Sequence, residues 1–158
     1  MARALIVGCG CLASELAGRL QGDGWAVRGT SRTQEGAERI ESGGIEGVVA
    51  DPDRVGTVLE HVGDVAVVVW AFGSASGPSA PDVNGPRLER MLERLVDTPV
   101  RGFVLDADSL PAAARELVAT ATQTWRLPSR VVEIPRDRGD DWVAAMQAAV
   151  NGLVAAQA

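Results

Sequence analysis

Two glycines and a small residue follow the first apolar segment of the chain at a spacing suited to holding a pyrophosphate. The stretch "ALIVGCGCLASELAGRL", residues 4–20, places Gly8 and Gly10 directly after four apolar residues, and Ala13 at the beginning of a segment with helical spacing. Between a strand and a helix, such glycines permit a tight turn and a close backbone approach to phosphate, whose charge the helix amino terminus favours. The pattern predicts a dinucleotide-binding loop, and the alternative is an ordinary turn. The predicted contact residues are Gly8, Cys9, Gly10, Cys11 and Leu12.

The residues that would contact the adenosine ribose lie about twenty positions further on. They include Thr30, Ser31 and Arg32, and no aspartate or glutamate stands among them to accept a hydrogen bond from a ribose 2′-hydroxyl. A guanidinium beside two hydroxyls suits a 2′-phosphate instead. The sequence therefore predicts NADP as the cofactor, with NAD as the alternative. An ordinary surface arginine at the end of a strand is the other interpretation of Arg32.

The chain contains no tyrosine and no lysine, two residue types that enzymes commonly use to move protons. Asp106 and Asp108 follow the fifth apolar segment and are the candidate catalytic acids, although a helix cap before Ser109 explains Asp108 as well. His61 and Cys11 are weaker candidates, because a helix end and a small residue in a tight loop account for them equally. The sequence leaves the catalytic residues open.

Composition excludes several classes of protein. The formal net charge is -6, and all 15 basic residues are arginines spread along the chain, so no basic stripe suits a nucleic acid. No segment approaches the ~20 apolar residues of a membrane span, and no His, Cys or carboxylate cluster has metal-ligand spacing. Cys9 and Cys11 are poorly placed for a disulfide framework, which favours a cytoplasmic location.

We expect the tryptophans to pack in the core: Trp25, Trp70, Trp125 and Trp142.

Short apolar runs alternate with longer segments of helical period along the whole chain. The predicted strands cover residues 4–7, 25–30, 45–50, 65–72, 100–106 and 130–134, and the predicted helices cover residues 11–22, 33–42, 53–61, 82–96, 109–126 and 139–156. Asp51-Pro52 is expected to open the third helix, and Ser109 with Pro111 the fifth.

Runs such as "VAVVVWAF" are apolar on both faces, as parallel strands between two helical layers require. The predicted fold is α/β: one domain over residues 1–158, with a doubly wound, mostly parallel six-stranded sheet in a three-layer αβα sandwich. Its expected strand order is 3-2-1-4-5-6, with a ligand crevice at the carboxyl ends of strands 1 and 4. The Gly/Ser/Pro-rich stretch at residues 73–81 is interpreted as a mobile loop over that crevice.

Three segments resemble the short-chain dehydrogenase/reductase superfamily, in particular its extended and atypical branch of epimerase-like and NmrA-like Rossmann proteins. "ALIVGCGCLASELAGRL" resembles the phosphate loop and first helix, "WAVRGTSR" the second strand, and "GVVADPDRVGTVLEHVGDVAVVVWAFG" the third and fourth strands with their helix. The resemblance implies an NADP-selecting role for Arg32 and an adenine contact at Asp51, whose other interpretation is a helix cap. It also implies a turn beside the nicotinamide ribose at Ala71, Phe72 and Gly73.

Catalysis in that superfamily depends on a Tyr-x-x-x-Lys pair, which this chain does not contain. The resemblance therefore implies a cofactor-binding or redox-sensing module that acts through a homodimer or a protein partner, with the helices at 82–96 and 139–156 as candidate pairing surfaces. The alternative is an atypical NAD(P)-dependent oxidoreductase or epimerase-like enzyme that uses Asp106, Asp108 or partner-supplied residues. A third possibility is a domain that kept the fold and lost the ligand.

Overall fold

The computed structural model describes residues 2–73, 80–108 and 110–155, and its strands form one sheet. The sheet has six strands in the order β3-β2-β1-β4-β5-β6, and every neighbouring pair is parallel. Both the predicted strand order and the predicted parallel arrangement are confirmed. The strands are β1 (Arg3–Val7), β2 (Ala26–Ser31), β3 (Glu46–Val49), β4 (Val67–Trp70), β5 (Gly102–Asp106) and β6 (Ser129–Val132).

Helices follow the strands and cover both faces of the sheet. None of the helices in the described ranges combines the length and the apolar character needed to cross a membrane. A 3₁₀ turn at Arg136–Arg138 leads into the last helix. The α-helices are α1 (Cys11–Gly22), α2 (Gln34–Ser42), α3 (Val55–Leu59), α4 (Ala80–Val83), α5 (Pro86–Leu95), α6 (Ala112–Trp125) and α7 (Gly139–Ala155).

Two hydrophobic layers hold the helices against the sheet. Helices α1, α2 and α7 cover one face, and α3, α5 and α6 cover the other. Trp142 is fully buried in the first layer and Trp70 in the second, Trp25 is 7% exposed, and Trp125 packs partly buried against the second layer. Each fully buried large side chain contributes about 1.5–3 kcal/mol to folding. The tryptophans therefore act in packing, as expected.

The third helix begins later than predicted. Asp51 does not open it, because its Oδ1 accepts a hydrogen bond from the backbone N–H of Asp53 at 2.9 Å and so holds the chain in a turn. The helix starts at Val55 and ends at Leu59. His61 lies beyond this end, and its carbonyl oxygen accepts from Arg28 Nη1 at 2.7 Å.

The fourth predicted helix is divided in two. Helix α4 ends at Val83 and α5 begins at Pro86, with Gly85 between them in a non-helical conformation. Proline disfavours helical geometry in the residue before it, which explains the break. The fifth predicted helix also starts late, at Ala112 after Pro111. Ser109 and residues 74–79 of the predicted mobile loop lie outside the described residues.

A cluster of charged side chains around Arg28 connects strands at the amino-terminal edge of the sheet. The Arg28 side chain is 11% exposed, contacts Glu46 of β3, and lies 2.8 Å from Oδ1 of Asp64, which precedes β4. These contacts lower the pKa of Glu46, and they lower the pKa of Asp64 to about 2 because Arg28 donates hydrogen bonds to the carboxylate. The cluster ties three strands together at the edge opposite the glycine loop.

Candidate functional site

The glycine loop is held against the carboxyl ends of β2 and β4. Gly8 has φ +87, and a Cβ atom at this position would lie 2.7 Å from Cε1 of Phe72. The Gly8 N–H donates to Thr30 Oγ1 at 3.2 Å, and the Cys9 N–H donates to the Thr30 carbonyl oxygen at 3.1 Å. Glycine is therefore needed at position 8 for both its conformation and its close packing. Thr30, which is 2% exposed, shapes the loop.

The next glycine presents open backbone. Gly10 is exposed, and apart from Gly10 and its two chain neighbours no atom lies within 4 Å of the position that a Cβ would take. It precedes α1 without a side chain to cap the helix, and no acidic residue occupies the first turn. The unpaired N–H groups and positive dipole of such a helix start favour an anion. Ala13 is fully buried against the sheet, as its small size predicts.

A groove of about 650 Å³ runs from the glycine loop along α2 to Gly43 at its end. We call it the glycine-loop groove. Most of the predicted cofactor contacts line it, whereas Leu12, Asp51, Ala71 and Gly73 do not. The residues that line it are Gly8, Cys9, Gly10, Cys11, Ser14, Thr30, Ser31, Arg32, Gly36, Arg39, Ile40, Gly43 and Phe72.

Several residues of this lining were not predicted from the sequence: Ser14 of α1, Gly36, Arg39 and Ile40 of α2, and Gly43 after α2. Ser14 lies one turn into α1 and donates its hydroxyl to the Gly10 carbonyl oxygen at 3.0 Å. Gly36 must be small, because a Cβ there would lie 1.9 Å from Ser31 Oγ. Thr33 caps α2 by accepting from the Gly36 N–H at 3.0 Å, and this cap positions Arg39 on the following turn. The signal in the sequence was the Thr-x-x-Gly start of a helix directly after Arg32.

The two cysteines of the loop lie in different environments. Cys9 is partly buried, and desolvation raises the pKa of its thiol, although a contact with the Ser14 hydroxyl acts in the opposite direction. Cys11 is exposed at the start of α1. Both thiols are free. Burial therefore suppresses the thiolate at Cys9.

Arg32 lies at the rim of the glycine-loop groove beside two carboxylates. Its side chain is 47% exposed, with Nε 3.7 Å from Asp51 Oδ1 and Nη2 3.4 Å from Asp53 Oδ2. Arg87 of α5 approaches the other oxygen of Asp53 at 3.8 Å. The Asp51 N–H donates to Thr57 Oγ1 at 2.8 Å, so the turn that carries both aspartates is held by α3. Asp51 thus contacts the predicted phosphate-binding arginine rather than the groove.

A second polar cluster lies at the carboxyl ends of β4 and β5. Asp106 is fully buried and accepts hydrogen bonds from Arg136 Nε at 2.9 Å, from Trp142 Nε1 at 3.2 Å and from the Gly73 N–H at 3.2 Å. Arg136 also donates to the Ala71 carbonyl oxygen at 2.7 Å and lies 4.7 Å from the centre of the Trp142 ring. Asp106 is therefore enclosed by internal partners, and this network holds the turn at Ala71 and Gly73.

Asp108 is also engaged within the chain. Its Oδ2 accepts from the backbone N–H of Arg136 at 3.2 Å, and its own N–H donates to Asp106 Oδ1 at 3.4 Å. It does not cap α6, which starts at Ala112. Within residues 2–73, 80–108 and 110–155, no group of three or more His, Cys, Asp or Glu side chains could hold a metal ion.

Comparison with known proteins identifies the fold. No protein-family model matches the chain, and no curated protein matches it in sequence. Among solved structures, a short-chain dehydrogenase/reductase superfamily protein from Agrobacterium tumefaciens with bound NAD matches with a TM-score of 0.65 and 18% identity, over 83% of this chain and 48% of that one.

Two enzymes with bound cofactors match similarly. The UDP-glucose 4-epimerase of Thermus thermophilus in complex with NAD has a TM-score of 0.70 and 15% identity, over 83% of this chain and 54% of that one. Yeast methylglyoxal/isovaleraldehyde reductase in complex with NADPH has a TM-score of 0.63 and 17% identity, over 85% and 55%. The chain spans about half the length of these three structures. It has the Rossmann-type α/β fold of short-chain dehydrogenase/reductase and epimerase structures, and the predicted resemblance is confirmed for the fold.

Proposed function

We propose that this chain binds NADP(H), with NAD(H) as the alternative cofactor, and acts as a cofactor-binding or redox-sensing module. The observation that carries the proposal is the glycine-loop groove, which joins the open backbone at Gly10, the uncapped start of α1 and the Arg32 guanidinium in one cavity. Three structures of the same fold contain NAD or NADPH. A dinucleotide is thus the ligand that best fits both the cavity and its phosphate-binding features.

Two parts of the groove suit the two phosphate groups of the dinucleotide. The pyrophosphate would lie over Gly10, where nothing blocks close approach, with N–H groups of the first turn of α1 as donors. The 2′-phosphate would lie between Arg32 and Arg39, the two cations of the lining. A bound nicotinamide supplies hydride chemistry. The chain's own residues hold the cofactor through charge and backbone donors.

The polar cluster at β4 and β5 favours binding without conventional dehydrogenase chemistry. The carboxylate of Asp106 is fully buried and already accepts from Arg136, Trp142 and Gly73. A proton donor must reach the substrate within hydrogen-bonding distance, and these internal partners oppose that role. The chain also lacks the tyrosine and lysine of the usual proton relay. These observations support a module over the alternative oxidoreductase or epimerase-like enzyme.

As a sensor, the chain would report cofactor state through a partner or through its own dimer. A ligand shifts a conformational equilibrium only by its difference in affinity for the two states. Binding of a phosphorylated cofactor would replace the Arg32 contacts to Asp51 and Asp53 by a contact of Arg32 with the 2′-phosphate. The bound and empty states would then present different surfaces to the partner.

The test is isothermal titration of NADPH, NADP, NADH and NAD into the wild-type protein and into Arg32→Ala. We expect saturable binding, with Arg32→Ala weakening the phosphorylated pair by about tenfold or more and changing the other pair little, since a charged hydrogen-bonded contact is lost. Arg90→Ala, at an exposed arginine on α5, is the matched control. Absence of binding by all four would overturn the proposal. Turnover of cofactor with carbonyl substrates would favour the enzyme alternative.

A further inference from the structure

Two carboxylates lie beside the nitrogen atoms of the Arg32 guanidinium that would bind a phosphate. Nε faces Asp51 at 3.7 Å and Nη2 faces Asp53 at 3.4 Å. Nε and one terminal nitrogen form a fork that binds a carboxylate or a phosphate through two parallel hydrogen bonds. Both contacts are longer than an ordinary hydrogen bond, so the fork is attracted to the carboxylates without being tightly bound to them.

Asp53 is held in this position from several directions. Its backbone N–H donates to Asp51 Oδ1 at 2.9 Å, and its second carboxylate oxygen faces Arg87 Nε at 3.8 Å. Its side chain is 29% exposed, against 47% for Arg32. The arginine is therefore the more exposed member of the pair, and release from Asp53 would leave its fork free to bind a phosphate in the groove that it lines.

Resting on the proposed function, we propose that Asp53 sets the preference between phosphorylated and unphosphorylated dinucleotide by competing with the 2′-phosphate for Arg32. The two aspartates and the two arginines balance in charge, so a doubly charged phosphate placed beside Arg32 also meets the repulsion of Asp53. An unphosphorylated ribose meets no such competition. Asp53 thus limits the advantage that Arg32 gives to NADP(H).

Asp53 could either compete with the phosphate for Arg32 or hold Arg32 in position, and the two roles predict opposite changes in affinity when Asp53 is substituted. If Asp53 competes, Asp53→Asn frees Arg32 and tightens the phosphorylated ligand. If Asp53 instead holds Arg32 in a productive position, the same change weakens that ligand. Arg87 allows a second test, because it contacts the same Asp53 carboxylate as Arg32 and does not line the groove. Arg87→Ala should leave Asp53 more available to Arg32 and weaken the phosphorylated ligand.

The experiment is titration with adenosine 2′,5′-bisphosphate and adenosine 5′-monophosphate, which differ in the 2′-phosphate and carry no nicotinamide. In Asp53→Asn, we expect the bisphosphate to bind about three- to tenfold tighter and the monophosphate to change less than about twofold. Asp97→Asn, at an exposed carboxylate in the turn after α5, is the matched control and should leave both ligands unchanged. The effect should also disappear in an Arg32→Ala background.

Each other outcome has a definite meaning. Weaker or unchanged bisphosphate binding in Asp53→Asn, while the wild type still binds NADPH, overturns the inference and leaves the proposed function intact. Tightening that persists without Arg32 overturns it as well, because it would reflect general charge rather than competition. If neither nucleotide nor NADPH binds the folded wild type, the proposed function and this inference fall together. Should Asp53→Asn fail to fold, Arg87→Ala decides the question. Weaker bisphosphate binding that disappears in an Arg32→Ala background supports competition, and weakening that persists there reflects general charge and overturns the inference.

Discussion

Arg136 and Asp106 form an ion pair at the carboxyl ends of the central strands, with Nε 2.9 Å from Oδ2. The two residues are 30 positions apart in sequence, and the carboxylate is fully buried whereas the Arg136 side chain is 21% exposed. The same guanidinium also binds the Ala71 carbonyl oxygen. This pair therefore joins β5, the end of β4 and the turn before α7, and it engages Asp106, one of the two predicted catalytic acids.

Removing Arg136 should destabilise the protein strongly. In Arg136→Ala the buried Asp106 charge loses its partner, and we expect the free energy of unfolding to fall by about 3–5 kcal/mol. Denaturant unfolding measures this. The free energy of unfolding should fall less in the double variant Asp106→Asn/Arg136→Met than in Arg136→Ala, because the double variant leaves no unpaired charge buried. The control Arg138→Ala, at an exposed pair with Asp141, should change stability by less than about 0.5 kcal/mol. A cost at Arg136 no larger than at Arg138 would contradict the account.

Two glycines of the first βα unit should respond oppositely to alanine. Gly8→Ala introduces a side chain at φ +87 and against Phe72, which should cost about 1–3 kcal/mol and weaken dinucleotide binding. Gly18 lies within α1 with open space around it, so Gly18→Ala should stabilise the protein by about 0.5–1 kcal/mol. Thermal unfolding with and without NADPH distinguishes them. Equal behaviour of the two variants would refute the assigned role of Gly8.

The charge cluster at Arg28 predicts a pH dependence of stability. The pKa of Asp64 is lowered to about 2 in the folded protein, chiefly by hydrogen bonds from Arg28. A lowered folded-state pKa contributes stability that is present above the unfolded pKa and is lost as pH falls towards the folded pKa. The wild type should therefore be more stable than Asp64→Asn at pH 7, and the difference should shrink between about pH 4 and pH 2. Denaturant unfolding at each pH measures this difference in the free energy of unfolding. A difference that stays constant between about pH 4 and pH 2 would argue against the ion pair of Arg28 with Asp64.

The two thiols should react at different rates. Cys11 is exposed at the start of α1, whereas burial raises the pKa of Cys9 and so lowers its thiolate fraction. A thiol reagent at neutral pH should show a fast phase that disappears in Cys11→Ser and persists in Cys9→Ser. Saturating NADPH should slow this fast phase, since Cys11 lines the groove. A fast phase assigned to Cys9, or one indifferent to NADPH, would conflict with the described loop.

The sheet could be predicted because its signals are local and strong. Runs such as residues 65–72 are apolar on both faces and lie between Gly63-Asp64 and Gly73, so the strand positions followed from the pattern. The strand order followed from the doubly wound fold that the alternation of strands and helices indicates. The starts of α3 and α5 could not be placed as well. The first depends on a side-chain hydrogen bond of Asp51, and the second on the effect of Pro86 on Gly85, and both compete with helical propensity.

Part of the lining of the candidate site could be predicted from local spacing, whereas the contacts between distant residues depend on the topology. The glycine loop and Arg32 follow from spacing, and they line one groove. The role of Arg136 depends on Asp106 and on Ala71, which lies 65 residues away, so topology alone brings them together. The contact of Arg32 with Asp53 likewise requires β2 and β3 to pair in parallel.

A dinucleotide over the glycine loop should be visible by amide NMR of the ¹⁵N-labelled chain during titration with NADPH. We expect the largest shifts at the backbone amides of Gly10, Cys11 and Leu12, with further shifts at Ser31 and Arg32. We expect little change around Arg28 at the opposite edge. Absence of shifts at saturating NADPH, or shifts confined to residues outside the groove, would show that the dinucleotide does not lie over the glycine loop.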